Sequence, residues 1–208
     1  MDQLTKILSA SVELFRQYGF KTITMDDIAR RGGISKKTLY QHFANKSEIV
    51  NESVLWYKKH MTENCEVLIH GSENAIEAMV RMLAFMDQMY KQINPMAMFE
   101  MQRFYPEAYN TFREQLQAKD VGMMRDNILQ GISEGLYRPE INADILAKYR
   151  LETSLMILQP NLLVNERDDL LSVGIEIGEH FLYGMMTEKG VKLYHKYKEK
   201  YLKQVSKI

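Results

Sequence analysis

The segment from Ser35 to His42, SKKTLYQH, places basic, hydroxyl, amide and aromatic side chains close together and contains no acidic residue. Side chains of these types donate hydrogen bonds to phosphate oxygens and to the acceptor-rich edges of bases in the DNA major groove. A helix face that is merely solvated normally mixes Asp or Glu with its basic residues. The segment therefore indicates a surface for a polyanion, provided that the surrounding elements expose it.

Helix-start and helix-stop signals surround this segment. Thr24 and Asp27 have the spacing of a capping box, and Ser35 is placed to cap the helix that follows it. The glycine pair at 32–33 separates these two short helices, and apolar residues at 3–4 spacing predict a preceding helix over residues 2–18. Two short helices joined by a tight glycine turn form a helix-turn-helix, although spacing alone favours an ordinary helical hairpin equally.

Side-chain directions on the third helix, predicted over residues 35–43, distinguish these two interpretations. Leu39 and Phe43 share one face and are expected in the core. The opposite face collects donors and an aromatic ring from four residues: Lys36, Lys37, Tyr40 and Gln41. This arrangement favours a helix-turn-helix whose second helix meets DNA.

The sequence TMDDIARRGGISKKTLYQHFANKSEIV, residues 24–50, resembles the N-terminal DNA-binding domain of the tetracycline-repressor-type (TetR) transcriptional regulators. The matching elements are Thr-x-x-Asp-Ile-Ala, Gly-Ile-Ser, Lys-x-Thr-Leu-Tyr with the following Phe, and Asn-Lys-Ser-Glu. The resemblance is close over residues 4–55, and beyond residue 60 it consists of helical layout alone.

The resemblance implies roles for individual side chains. Thr24, Tyr40 and Lys46 are expected to contact phosphates. His42 stays open between a phosphate donor and a residue that fills space beside the core. The remaining residues expected at the DNA face base edges, the flanking backbone or the helix start: Ser35, Lys36, Lys37, Thr38 and Gln41.

The resemblance also implies an organisation. The expected fold is all-α, with a three-helix DNA-binding domain over residues 1–48 and an antiparallel helical bundle over 49–208 that binds a ligand and forms dimers. The expected partners are double-stranded operator DNA of near-palindromic sequence, a second copy of the chain and a small-molecule effector.

The pattern of the C-terminal region predicts successive helices, with Ser72 and Asn142 as caps. The predicted segments are 46–70, 73–93, a short helix ending near Pro106, 107–135, 143–159, 167–186 and a short terminal helix. In the family layout, 143–159 and 167–186 form the dimer interface. Small residues would permit close approach there, or would pack within one chain: Ala147, Thr153, Ser154, Gly174 and Gly178.

Methionine is frequent, with 15 in 208 residues, and many lie on segments that enclose an effector cavity in the family. Methionine is flexible and polarisable, so it suits an adaptable apolar pocket, although ordinary core packing accounts for any single one. The predicted pocket for a mainly apolar effector is lined by Met82, Phe85, Met86, Met89, Phe99, Phe104 and Met123.

Charge is unevenly distributed along a chain with no formal net charge. Residues 1–50 carry eight Lys and Arg against five Asp and Glu, residues 51–190 carry 13 against 21, and residues 191–208 carry six against one. A basic head on an acidic body indicates that only the head meets a polyanion. The basic tail is expected to lie on the bundle with its lysines solvated, rather than to seek DNA or a membrane.

A single cysteine, the lack of a signal-peptide pattern and the lack of a long apolar run favour a cytoplasmic protein without a membrane partner. No phosphate-binding glycine loop, metal-spaced histidine pair or nucleophile motif occurs, so no enzyme, metal or cofactor is expected. The prediction is a ligand-responsive transcriptional regulator, with repression favoured over activation. The alternatives are a helical small-molecule binder with a non-functional head and a nonspecific DNA-compacting protein, which the acidic body disfavours.

Overall fold

A computed structural model describes residues 2–90, 93–157 and 170–202. These residues are helical for most of their length, and their one β-type pairing is an isolated bridge between Tyr137 and Met186. The all-α prediction is confirmed.

The described residues form two compact units. The first contains residues 2–61 and 93–115, and the second contains 62–90, 116–157 and 170–202. Compactness does not test where a DNA-binding function ends, so the predicted boundary after residue 48 stays a prediction.

The helices are numbered in chain order. Their bounds are α1 Gln3–Tyr18, α2 Met25–Arg31, α3 Lys36–His42, α4 Lys46–His70, α5 Ala75–Tyr90, α6 Ala97–Phe104, α7 Pro106–Gln115, α8 Val121–Ser133, α9 Ala143–Ile157, α10 Leu170–Met185 and α11 Glu188–Tyr201.

The core of the first unit is built from the apolar faces of α1 to α4, joined by α6 and α7. Phe15 near the end of α1 stacks on Phe20 in the following turn, with ring centroids 4.8 Å apart. Ile28 of α2, Leu39 of α3 and Ile49 of α4 are fully buried against them. Each short helix thus contributes a large apolar side chain that fixes its orientation.

The core of the second unit contains α5, α8, α9, α10 and α11. Tyr194 and Tyr197 of α11 are buried, and their hydroxyls have partners: Tyr194 donates to Glu179 at 2.6 Å, and Asn74 donates to Tyr197 at 2.8 Å. Buried tyrosines with bonded hydroxyls hold α11 against α5 and α10. The predicted placement of the tail on the bundle is confirmed as far as Leu202.

One helix cap in this region was predicted wrongly. Ser72 does not cap α5, because its hydroxyl donates to the Leu68 carbonyl at 2.7 Å. The capping oxygen is that of Asn74, which accepts from the Glu77 N–H at 3.0 Å. The predicted helix over 107–135 is helical to Ser133 and contains a π-helical turn, Leu116–Asp120.

Other boundaries agree with the sequence pattern. Asn142 caps α9 by accepting from the Ile145 N–H at 3.0 Å, and Thr187 caps α11 by accepting from Gly190 at 3.2 Å. The predicted ends of the helices at 159 and 167 lie outside the described residues.

Candidate nucleic-acid interface

The start of α2 is fixed by a reciprocal capping box. The Thr24 hydroxyl accepts from the Asp27 N–H at 3.2 Å, and the Asp27 carboxylate accepts from the Thr24 N–H at 2.9 Å. The Thr24 hydroxyl also donates to Asp27 at 2.6 Å. These bonds lower the pKa of the Asp27 carboxyl below its ordinary value. Two otherwise unpaired main-chain groups are satisfied, so α2 begins at one defined residue.

The turn between α2 and α3 is a Schellman motif. Ile34 N–H donates to the Ala29 carbonyl at 3.0 Å and Gly33 N–H donates to the Arg30 carbonyl at 3.2 Å. Gly33 has a φ of 64°, which a residue without a Cβ adopts without strain. The second glycine of the pair is therefore the one that the turn requires.

The orientation of α3 agrees with the sequence prediction. Ser35 caps the helix by accepting from the Thr38 N–H at 3.0 Å, and the two hydroxyls lie 2.8 Å apart. Leu39 is fully buried and Phe43, which follows the helix, is 5% exposed. These two side chains anchor α3, so the opposite face is available to solvent.

That opposite face presents hydrogen-bond donors and one ring. Lys37, Tyr40 and Gln41 are exposed, and Tyr40 keeps 46% of its surface accessible. Ser35 and Lys36 are also exposed, whereas Thr38 is half-buried. Exposed donors at i, i+3 and i+4 on an anchored helix form a surface that can enter a major groove.

An acidic residue that the sequence reasoning missed lies beside this face. Asp26 of α2 holds Lys36 in an ion pair, with Nζ and Oδ1 2.8 Å apart and both side chains exposed. The hydrogen bond from Lys36 to this carboxylate raises the pKa of the lysine. The pairing crosses from one helix to the next, so no pattern within α3 could have indicated it.

His42 does not fill space beside the core. It is exposed, and its Nε2 lies 3.3 Å from Oε1 of Gln3 on α1. The sequence left its role open, and the structure places its ring at the surface near the end of α3.

Lys46 is directed inward instead of joining the exposed donors. Its ammonium donates to the Phe20 carbonyl and lies 6.0 Å from the ring centroid of Phe15 and 5.7 Å from that of Tyr105. Burial lowers the pKa of Lys46, opposed by the nearby carboxylates of Glu100 and Asp27. In this arrangement the Lys46 ammonium is bonded within the chain, so it does not lie with the donors on the exposed face of α3.

Residues 7–53 match the family model described as bacterial regulatory proteins, tetR family. The matched region contains α2, α3 and the turn between them. This segment is a TetR-type DNA-binding region, and the comparisons support a TetR-family transcriptional regulator.

One curated relative and two solved structures are similar to this chain over longer stretches. The repressor KstR2 of Mycobacterium tuberculosis is 23% identical over 152 residues, which cover 72% of this chain and 76% of KstR2. Two solved structures share the fold. A TetR-family regulator from Agrobacterium tumefaciens has a TM-score of 0.71 and 16% identity, and the match covers 89% of this chain and 98% of that protein. FadR from Bacillus subtilis, in complex with stearoyl-CoA, has a TM-score of 0.67 and 17% identity, and the match covers 86% of this chain and 98% of FadR.

The predicted TetR-type effector residues fall in both units. Five of them are half-buried in the second unit: Met82, Phe85, Met86 and Met89 on α5, and Met123 on α8. Phe99 is half-buried and Phe104 is exposed, both on α6 in the first unit. Neither unit by itself gathers all seven, and the predicted pocket stays a prediction.

The small residues expected at a TetR-type dimer interface are largely buried within one chain. Ala147, Thr153 and Gly178 are buried, and a Cβ on Gly178 would lie 2.5 Å from Cδ2 of Leu83. The small size of Gly178 serves the packing of α10 on α5 inside the chain. The dimer role expected of the five small residues stays a prediction.

A different set of α9 residues is available for a partner. Ile145, Tyr149 and Met156 are 63%, 50% and 43% exposed. Their spacing of i, i+4 and i+11 places them along one face of the helix. We refer to these three residues as the α9 stripe.

Within the described part of the chain, no three His, Cys, Asp or Glu side chains are grouped so that they could hold a metal ion. None of the described helices has the length and apolar character needed to cross a membrane.

Proposed function

We propose that this TetR-family protein is a ligand-controlled transcriptional repressor that binds palindromic operator DNA as a homodimer and is released by a small, mainly apolar effector. The observation that carries the DNA-binding role is the anchored α3, with Leu39 and Phe43 buried and Lys37, Tyr40 and Gln41 exposed. These exposed groups match the acceptors of a major groove, and the family assignment supports the same use.

Base readout is assigned to Lys37 and Gln41, because they extend from the exposed face of α3. Tyr40, Thr24 and His42 are assigned to phosphates. Lys36 also contacts a phosphate, once DNA displaces Asp26 from its ammonium. Ser35 and Thr38 act mainly through the cap that orients the helix. Phosphate contacts set the position on the duplex and base contacts set the sequence preference.

The α9 stripe supports a homodimer. A single α3 reads only a few base pairs, so recognition of an operator requires two copies spaced by about one helical turn of DNA. A second chain related by two-fold symmetry would bring the same stripe against its equivalent and cover three exposed apolar side chains at once.

The effector assignment is supported by relatives. FadR is described in complex with stearoyl-CoA, and KstR2 is described as a ketosteroid transcriptional regulator. Stearoyl-CoA and a ketosteroid each carry a large apolar group. The half-buried methionines of α5 are flexible side chains that adapt to such a surface. The effector acts by favouring dimers whose two α3 helices no longer match the half-site spacing.

Selection of bound sequences from random duplex DNA tests the proposal. Enrichment of one palindrome is expected, with release of the DNA by a long-chain acyl-CoA or a steroid. If no sequence is enriched and an apolar ligand nevertheless raises the melting temperature, the chain is a small-molecule binder with a non-functional head. Equal binding of all sequences would indicate the DNA-compacting alternative.

A further inference from the structure

Lys46 connects the two ends of the helix-turn-helix. Phe20 precedes α2 and Lys46 begins α4, so the bond from the Lys46 ammonium to the Phe20 carbonyl spans every residue of α2 and α3. The ammonium lies over the rings of Phe15 and Tyr105. A charged donor held between aromatic faces and bonded to a carbonyl is stabilised by both contacts.

The segment from residue 94 to residue 105 also contacts the turn between α1 and α2. Glu100 of α6 accepts from the Lys21 N–H at 2.9 Å, and the Asn94 N–H donates to the Arg16 carbonyl at 2.6 Å. A Cβ on Gly19 would lie 2.5 Å from a Glu100 carboxylate oxygen, so the carboxylate lies directly against the main chain of the turn.

The turn from residue 19 to residue 24 determines where α2 starts, since it leads into the Thr24 cap. Helix α2 in turn is joined to α3 by the Schellman turn and by the pair between Asp26 and Lys36. Contacts that hold the turn therefore set the position of α3, although none of them lies on its exposed face.

We propose that Lys46 and Glu100 are positioning residues for α3, which hold the α1–α2 turn from inside the unit, and that Lys46 does not bind a phosphate. This inference rests on the proposed function, and it changes the role that family resemblance gives to Lys46. A phosphate contact contributes counterion release to binding, whereas a positioning contact contributes none.

The salt dependence of operator binding separates the two roles. Lys46→Met keeps the length of the side chain and removes its charge, and it is expected to lower affinity about three- to tenfold at every salt concentration. The slope of log K against log[salt] should stay at the wild-type value. The matched control is Lys37→Met on the exposed face, for which the slope should fall by about 0.9. A fall of that size for Lys46→Met would overturn the proposal.

Glu100 offers a second test that removes no positive charge. Glu100→Gln keeps an acceptor for the Lys21 N–H but removes the charge facing Lys46, and Glu100→Ala removes both. Operator affinity should be lower in Glu100→Gln than in the wild type and lower still in Glu100→Ala. The salt slope and the preference among operator sequences should not change. Wild-type affinity in both variants would show that Glu100 does not position α3.

Amide hydrogen exchange without DNA keeps this inference distinct from the proposed function. Residues 19–24 should exchange faster in Lys46→Met and Glu100→Gln than in the wild type, and Lys37→Met should leave them unchanged. Failure of the wild-type protein to bind any duplex would refute the proposed function alone. Unchanged exchange in the turn would refute the positioning role whatever the DNA measurements show.

Discussion

The ammonium of Lys36 on α3 lies 2.8 Å from a carboxylate oxygen of Asp26 on α2, so the first basic side chain of α3 is already paired in the free protein. DNA must compete with Asp26 for this lysine, and the carboxylate itself repels phosphates. Asp26→Asn is therefore expected to raise operator affinity about three- to tenfold, because Lys36 no longer has to leave a partner and one carboxylate that repels phosphates is gone.

Fluorescence anisotropy with labelled operator measures this effect. Glu140→Gln is the control, because Glu140 forms a comparable exposed pair with Arg138, at 3.0 Å, in the second unit. It should leave affinity unchanged. Equal affinities for Asp26→Asn and wild type would show that Lys36 does not approach the duplex.

Gln41 and Lys37 are the side chains assigned to base edges. Replacing either with alanine is expected to cost about 1–3 kcal/mol of binding free energy and to relax preference at one or two operator positions. Lys59→Ala, an exposed lysine on α4, is the control and should change neither quantity. Repeated selection from random DNA measures the preference. Retention of the full wild-type preference in Gln41→Ala would contradict its assignment.

The α9 stripe is assigned to dimer formation. Ile145→Glu combined with Tyr149→Glu should convert the protein to a monomer, because four carboxylates would face one another across a two-fold axis. Both side chains are exposed in the single chain, so helical content should not change. Light scattering after gel filtration measures the mass. Val67→Glu, a 71% exposed position on α4, is the control and should remain dimeric.

Gly131 of α8 lies flat against the ring of Tyr137, and a Cβ there would be 2.1 Å from the ring. Tyr137 is fully buried and its hydroxyl lies 3.2 Å from the Asn127 side chain, so the ring cannot move away without breaking that contact. Gly131→Ala should destabilise the protein by about 1–3 kcal/mol. Gly122→Ala on the same helix meets nothing within 4 Å and should stabilise it by about 0.5–1 kcal/mol. Urea denaturation compares the two.

The capping box at α2 gives a dependence of stability on pH. The Thr24 hydroxyl and main-chain N–H lower the pKa of Asp27 from its ordinary value of 3.8, so the unfolded chain binds the proton more tightly. The stabilisation is present above the unfolded pKa and is lost as pH falls through the folded pKa. Asp27→Asn should therefore melt at a lower temperature at neutral pH and approach the wild type in acid. A difference that stays constant into acid would contradict this account.

The sequence by itself determined the local structure of the DNA-binding region. Helix caps, the glycine turn and the buried face of α3 depend on residues within a few positions of one another, so their spacing carries the information. The same locality explains the correct cap at Asn142. The error at Ser72 has a similar origin, since Asn74 lies two residues away and competes for the same role.

Only the tertiary structure decided which side chains are exposed at the surface and which are held inside a unit. Glu100 reaches the Lys21 N–H across 79 residues, and Lys46 turns toward a carbonyl 26 residues earlier. Leu83 occupies the space beside Gly178. The exposed apolar face of α9 consists of large side chains, not of the small residues predicted for the dimer interface. Long-range packing selects among directions that local spacing leaves equivalent, because burial of apolar area and pairing of polar groups are properties of the assembled unit.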